Sequence, residues 1–435
     1  MGDDTTTSSP WRRFDERAVR WLAWTVCAGL FVAEFCNCVF FCDHDFLWHR
    51  HLGQSFLDRE LYESIGEHYL PARAMFDATL VWLPYRVDRA IWFLAMCAGV
   101  AYCFRFWSRV GGPANQKGIG AALVVFLIAA SYIHRDLAEC GLQLFLLCLL
   151  TAAFAALTRG RAARCGCWLG LAALYKIMPV LFFPYLLWKR QWRAAGVMAA
   201  TAVLVSLLPG LWLGWRQNLD FHAQWARAAA ARLAIEDPSE NGIERPALWN
   251  RSLPLALARL VQAYPAGHPL HVEGPARLQL ATLEPRDAKR FVQVTLLGLA
   301  AVLAWRFRRR ADLSDGGVAL SAEWAFVCIL VAELSPLCWL HHLVLVLPAM
   351  LLFAQRAAAG RAPRWQWISS GVATALILLV HRGILSEAAW STLTALHPHT
   401  LACLIFGALA LSSASAVEIA ALPEPKVVTA APLAA

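Results

Sequence analysis

Apolar residues gather along the chain in blocks of about 18 to 24, the length a helix needs to cross a hydrocarbon layer about 30 Å thick. Candidate spans of 14 to 24 residues fall at residues 19–42, 88–107, 119–133, 137–158, 194–215, 291–305, 323–339, 342–355, 365–380 and 400–417. A further block, 165–188, is interrupted by Lys176 and Pro179. Two long connections, 43–86 and 216–290, separate the blocks, and the ends at 1–18 and 421–435 read as disordered tails. The pattern predicts an all-α, polytopic integral membrane protein with about 10 to 12 transmembrane helices. In that picture residues 19–420 form one transmembrane domain, and the first long loop folds into short helices over a cavity.

Basic clusters set the expected orientation, because cytoplasmic loops carry an excess of lysine and arginine. Arg12, Arg13, Arg17 and Arg20 put the N-terminus in the cytoplasm, which leaves the first long loop outside. Were 165–188 a plain span, the cluster Lys189, Arg190 and Arg193 would lie outside, and every later basic loop would be inverted. A block that enters and returns, bent near Lys176 and Pro179 where proline removes a backbone donor, restores the rule, with two very short spans as the alternative. Arg306, Arg308, Arg309 and Arg310 then fall inside with Arg356, Arg361 and Arg364. The second long loop, the 336–342 turn and the 381–399 segment gather outside.

Composition agrees with a lipid solvent. Of the 435 residues 59% are hydrophobic and 16% charged, against about 45–50% and about 25% in soluble domains. The net charge of +9 sits in short clusters between apolar blocks, which argues against nucleic acid as a partner. The 13 cysteines, Cys27, Cys36, Cys38, Cys148 and Cys403 among them, fall mostly inside apolar stretches and read as small buried hydrophobes. There is no zinc-ligand spacing, phosphate-binding P-loop, dinucleotide glycine fingerprint, His-Glu-x-x-His or Gly-x-Ser-x-Gly. No cofactor and no resident metal are expected.

The candidate chemistry lies where the orientation collects polar residues at one membrane face. Asp43-His44-Asp45 stands at the exit of the first span. A sheltered carboxylate there serves as a general base for an acceptor hydroxyl, two carboxylates can hold a divalent cation against a phosphate, and a solvated helix end is the plainer reading. Trp339, His341 and His342 follow Glu333 and Ser335-Pro336: the imidazoles can donate to a phosphate and the indole can stack on a sugar or isoprenoid, or the group is an aromatic interface belt. Lys176, deep in an apolar block, is a functional candidate by its cost alone, with a snorkelling lysine as its alternative. Glu139 and Gln143 invite the same argument more weakly. Asn250-Arg251-Ser252 offers a guanidinium for a phosphate, and equally matches a surface loop or an N-glycosylation acceptor.

Taken in order, these segments resemble glycosyltransferase family 87, polytopic proteins of the GT-C class that use polyprenyl-phosphate-mannose. Asp45-Phe46, Leu61-Tyr62, Tyr69-Leu70-Pro71, Leu83-Pro84 and Ala90-Ile91-Trp92 carry the likeness in the first loop. Lys176-Ile177-Met178-Pro179 looks like the family's Lys-x-x-Pro, Asn250-Arg251-Ser252-Leu253 its Asn-x-Ser segment, and the run from Ser335 to His342 its Ser-Pro-x-x-Trp-x-His-His. The chain departs from the pattern at His49, where tyrosine is common, at Tyr69-Leu70-Pro71 in place of Tyr-Pro-Pro, and at Cys140-Gly141-Leu142-Gln143. The resemblance implies a GT-C-like bundle and an inverting transfer of a hexose, mannose first, from a polyprenyl-phosphate donor to a glycan or glycolipid acceptor. It makes Asp45 the base and faces His341 and His342 toward the donor phosphate. Asp43, Tyr62, Lys176, Asn250, Arg251 and Trp339 complete the expected substrate-binding set, with membrane lipid as surroundings. A bacterial plasma membrane with the site on its extracytoplasmic side is the expected location.

Overall fold

The computed structural model describes residues 16–42, 44–63, 69–110, 116–240, 242–243, 246–272, 279–309, 318–381 and 383–420. Asp43, Arg310 and the tails at 1–15 and 421–435 lie outside the described residues.

Among the described residues the regular structure is helical. Helix α1 (Glu16–Cys36) continues through a π-helical turn, Asn37–Phe41, into α2 (His44–Leu57). The first loop adds α3 (Pro71–Ala78), whose proline occupies the first turn where no amide partner is lost. Then come α4 (Tyr85–Val110), α5 (Gln116–Ile128), α6 (Ala130–Glu139), α7 (Gln143–Leu157) and α8 (Ala162–Tyr175). A 3-10 turn, Met178–Leu181, leads to α9 (Phe182–Trp188), α10 (Trp192–Leu207), α11 (Gly210–Leu213) and α12 (Trp215–Ala234). The second loop holds α13 (Leu253–Val261); α14 (Pro285–Arg306) and α15 (Val318–Glu333) follow. A second 3-10 turn, Leu340–Val346, opens α16 (Leu347–Ala358), and α17 (Arg364–Leu379), α18 (Glu387–Ala395) and α19 (Pro398–Ala420) close the chain.

By length and composition, four helical stretches can cross a membrane: Tyr85–Val110, Trp192–Leu213, Pro285–Arg306 and Leu340–Ala358. Three bent pairs, α1 with α2, α5 with α6 and α18 with α19, raise the number to seven if each is one span. The chain is thus a multi-pass membrane type of protein, with fewer full-length spans among the described residues than the apolar blocks predict. The difference has a structural cause: several blocks are broken helices.

The break at residues 140–142 is the clearest. The sequence predicts one helix over 137–158, yet α6 stops at Glu139 and α7 starts at Gln143. Cys140 and Leu142 adopt left-handed φ values of 56° and 58°, a conformation that costs a non-glycine residue roughly 1–2 kcal/mol. Both helix ends are compensated. The carboxylate of Asp136 accepts the first amides of α7, from Gln143 N at 3.1 Å and Leu144 N at 2.8 Å. Buried Arg89 donates to the last carbonyls of α6, Leu137 O and Ala138 O, both at 2.7 Å. An anion at a helix start and a cation at a helix end both oppose the local dipole.

The block at 165–188 is broken at Lys176, which is extended between α8 and the 3-10 turn. Helices α8 and α10 run side by side in the same direction. A Cβ on Gly166 would fall 2.8 Å from Val197 Cβ, and one on Gly170 would fall 2.7 Å from Thr201 Cβ. Between membrane helices such close approach depends on small residues. Because α10 starts just after α9, parallel α8 and α10 mean that the intervening chain doubles back. The turns 158–161 and 189–191 therefore share one end of the bundle.

At that end Lys189 pairs with Glu323 at 2.8 Å and donates to Phe307 O at 3.3 Å. The core above it is aromatic: Trp107 stacks on Phe154 with centroids 5.1 Å apart, and Phe182 lies 4.4 Å from Trp324. The opposite end carries the loop helices and the polar cluster described next.

Candidate active site

Four segments meet at the loop end of the bundle. Helix α2 supplies Asp45 in its first turn. The 3-10 turn after Trp339 supplies His341 and His342, the α6–α7 break supplies Glu139 and Gln143, and the end of α8 supplies Lys176.

Glu139 Oε2 lies 2.8 Å from His341 Nδ1. The same carboxylate is held from its other side by Arg135, one helical turn back. His341 Nε2 is 4.0 Å from Asp45 Oδ2, whose side chain is 43% exposed. The glutamate thus fixes which imidazole nitrogen faces the aspartate, the usual way a second group selects a histidine tautomer. Gly141 makes this packing possible: a Cβ there would lie 2.6 Å from His341 Cδ2 and 2.8 Å from Asp136 Oδ1.

Beside this group, Lys176 Nζ lies 3.0 Å from His342 Nε2 and 3.3 Å from Gln143 Oε1. The backbone N–H of Trp339 donates to His342 Nδ1 at 3.1 Å. A neutral His342 with Nδ1 accepting carries its hydrogen on Nε2. The Nε2–H of His342 and the ammonium of Lys176 therefore face each other as two donors 3.0 Å apart, an arrangement that an acceptor atom between them would satisfy, and Asp45 is among the charges acting on Lys176.

The first loop braces this arrangement. Arg73, buried on α3, bonds Asp77 at 2.9 Å, His49 Nδ1 at 3.1 Å and the carbonyl of Tyr175 at 3.2 Å. Its guanidinium also lies 3.9 Å from the centroid of the Tyr175 ring. Tyr175 is the residue before Lys176, so the loop grips the backbone that carries the lysine.

Of the sequence candidates, Asp45, Lys176, His341 and His342 come together. Trp339 joins them through its backbone and is half-buried. Tyr62 does not: its hydroxyl donates to Tyr69 O at 2.7 Å and its ring meets Phe221 edge-on at 5.2 Å, within the packing of the loop helices. Asn250 is buried and works on backbone. Its side chain donates to Pro336 O at 3.0 Å and accepts from Cys338 N at 3.0 Å and Ser252 N at 3.1 Å. An amide so committed is a clamp on the Ser335–Trp339 turn and is not displayed for glycosylation. Arg251 is 4% exposed, with Tyr132, Cys338 and buried Glu333 as electrostatic neighbours. Its Nε and Nη1 atoms have no hydrogen-bond partner among the described residues.

Sequence reasoning missed Asp136, Arg73 and Arg89 and undervalued Glu139. Each is a charged residue buried or half-buried next to apolar sequence, a signal the cost of burial makes informative. Asp45, Glu139 and His341 also bring ligand-type atoms within 4.8 Å of one another. Two carboxylates and an imidazole suit a divalent cation. The 2.8 Å contact of Glu139 with His341 is nevertheless a direct hydrogen bond, and the cluster needs no ion to account for it.

An all-helical, multi-pass scaffold with ionisable side chains converging at one end is the class of protein defined here. The chain belongs to glycosyltransferase family 87, whose sequence model matches residues 68–332. It is also similar to a polyprenol-phosphate-mannose-dependent alpha-(1-2)-phosphatidylinositol mannoside mannosyltransferase of Mycolicibacterium smegmatis, at 28% identity over 241 residues. That alignment covers 54% of this chain and 44% of the relative, so the chain spans less than half of the relative's length. No solved structure matches.

Proposed function

We propose that the protein is a membrane glycosyltransferase that moves a hexose, mannose by analogy with its relative, from a polyprenyl-phosphate carrier to a hydroxyl of a glycan or glycolipid. The observation that carries this reading is a carboxylate, Asp45, 4.0 Å from His341, whose ring centroid lies 4.5 Å from that of His342, the partner of Lys176 in a two-donor site. Asp45 takes the proton of the acceptor hydroxyl as that oxygen attacks the anomeric carbon. The bond from carbon to phosphate oxygen breaks with its electron pair on the phosphate. Attack opposite the leaving group inverts the anomeric centre.

The phosphate oxygen gains charge as the bond breaks, and fixed donors aimed at developing charge are an effective way to lower a barrier. Lys176 and the Nε2–H of His342 fill that role. His341, oriented by Glu139, turns its Nε2 to Asp45 and shares the transferred proton with it. The isoprenoid tail stays in hydrocarbon while phosphate and sugar reach the polar end. That end is read as extracytoplasmic because the turns holding Arg159, Arg161, Lys189 and Arg190 lie at the other one, in keeping with the positive-inside rule.

The test is incubation of purified protein in detergent with polyprenyl-phosphate-mannose and candidate acceptor glycolipids. Acceptor-dependent release of polyprenyl phosphate with formation of a mannosylated product is expected. Carrier-bound sugar that crosses vesicle membranes unaltered, with no new glycosidic bond, would replace the transferase with a transporter.

A further inference from the structure

A cavity of about 330 Å³ lies outside the cluster just described, between α13, the segment that follows it and the junction of α18 with α19. The size is at the lower end of ligand pockets, about 300–1,000 Å³. Its walls are mainly apolar: Leu253, Leu257 and Leu260 come from α13, and Leu401 and Leu404 from α19. Leu401 is 50% exposed, so one wall belongs to the outer surface of a membrane-type helix.

Arg259, Tyr264 and His397 supply polar groups to the same cavity. His397 is 4% exposed, and neither ring nitrogen has a hydrogen-bond partner among the described residues. It also holds a left-handed φ of 49° immediately before Pro398. A non-glycine residue in that region stores strain, and such strain gathers at functional sites. The Nη1 atom of Arg259 is buried and likewise without a partner among the described residues, with the Tyr264 ring 5.8 Å from the guanidinium carbon. Arg259 forms no ion pair among the described residues. The neighbouring carboxylate, Asp237, already accepts from Gln262 Nε2 at 2.9 Å and Ser239 N at 2.8 Å.

Arginine keeps its charge at any physiological pH. A half-buried guanidinium with a buried, unpartnered Nη1 and no counter-ion among the described residues, beside an imidazole with open nitrogens, is a costly arrangement that an anion relieves. The apolar remainder of the cavity asks for a chain attached to that anion. We infer that this cavity binds a phosphate-bearing lipid, its headgroup held by Arg259 and His397 and the start of its chain lying against the leucines of α13 and α19. The site is separate from the Lys176–His342 pair. It is nevertheless linked to it: Thr400, in the cavity wall, donates to the carbonyl of Arg251, whose own N–H bonds Cys338 O in the turn before the histidines.

The inference does not depend on transfer chemistry, and its test reads binding alone. Full-length protein is delipidated in detergent and offered, in separate arms, phosphatidylglycerol, phosphatidylcholine, a polyprenyl phosphate or inorganic phosphate, and retained molecules are counted by native mass spectrometry. Phosphatidylglycerol, polyprenyl phosphate or both should be retained at one copy more than phosphatidylcholine, with inorganic phosphate not retained. Arg259→Gln should lower retention at least tenfold, while Arg259→Lys should keep part of it. Thermal melting of each variant separates lost binding from lost fold. Because the Lys176–His342 pair can also hold a polyprenyl phosphate, Lys176→Gln is run in parallel; lipid retained in that variant and lost in Arg259→Gln assigns it to the cavity. Equal retention of phosphatidylcholine, retention unchanged in folded Arg259→Gln, or no anionic lipid retained at all would each overturn the inference.

Discussion

His341 Nδ1 lies 2.8 Å from Glu139 Oε2, and this bond leaves Nε2 as the nitrogen 4.0 Å from Asp45. The sequence separates the two partners by 202 positions. Replacing Glu139 with glutamine keeps the shape but lets the amide bond either tautomer. We expect Glu139→Gln to lower the turnover rate on the order of 10²-fold, the scale of a misplaced catalytic group, with little change in substrate affinity. Steady-state assay of polyprenyl phosphate release, separated into kcat and KM, checks this.

Asp45→Asn removes the basic oxygen while preserving volume. A general base contributes about 10²–10⁴-fold, and a loss in that range is expected with an unchanged melting temperature, since half-exposed Asp45 holds little of the fold together. Near-normal transfer by this variant would remove Asp45 from the base role.

Gly141→Ala tests the packing behind the imidazole. The new methyl would fall 2.6 Å from His341 Cδ2, so either the histidine or the turn must shift. Overpacking of this kind typically costs about 1–3 kcal/mol. A lower melting temperature together with reduced turnover is expected; a drop in neither would show that the ring is free to move aside.

Arg73→Ala leaves Asp77, which is fully buried, facing His49 without its cation. Breaking a buried ion pair by deleting one partner costs about 3–5 kcal/mol. Thermal unfolding in detergent should show a large destabilisation, whereas Tyr62→Phe, which loses one hydrogen bond to Tyr69 O, should cost only about 0.5–1.5 kcal/mol and leave turnover near normal.

Single cysteines introduced at Arg161 and Arg190, in a background cleared of the natural thiols, should be labelled by a membrane-impermeant reagent from the same side. A cysteine at Asp58 should be labelled from the other. Labelling of positions 161 and 190 from opposite sides would mean that α8 and α9 form a through-going span.

Much of this was legible in the sequence for physical reasons. Burying charge in an apolar block is costly, so Lys176 announces itself, and the proline three residues on marks where its helix must stop. The pair His341-His342 and the carboxylate Asp45 stand at the edges of apolar blocks, where a polar face is expected. The break at Cys140–Leu142 was not legible, because neither residue favours a left-handed turn; its stabilisation comes from Asp136 and from Arg89, 48 residues from the carbonyl it reaches. Asn250 misled for a similar reason. An asparagine beside an arginine reads as a ligand pair until the carbonyl it bonds, Pro336 O, is brought alongside by the fold.

The grip of Arg73 on the carbonyl of Tyr175 has a mechanical consequence. Lys176 rides on extended backbone, and the residue before it is anchored by a residue of the first loop. With the Phe76 ring packed edge-on against Tyr175 at 5.4 Å, that bond fastens α3 to the residue before Lys176, so a displacement of α3 would be transmitted to the backbone that carries the lysine.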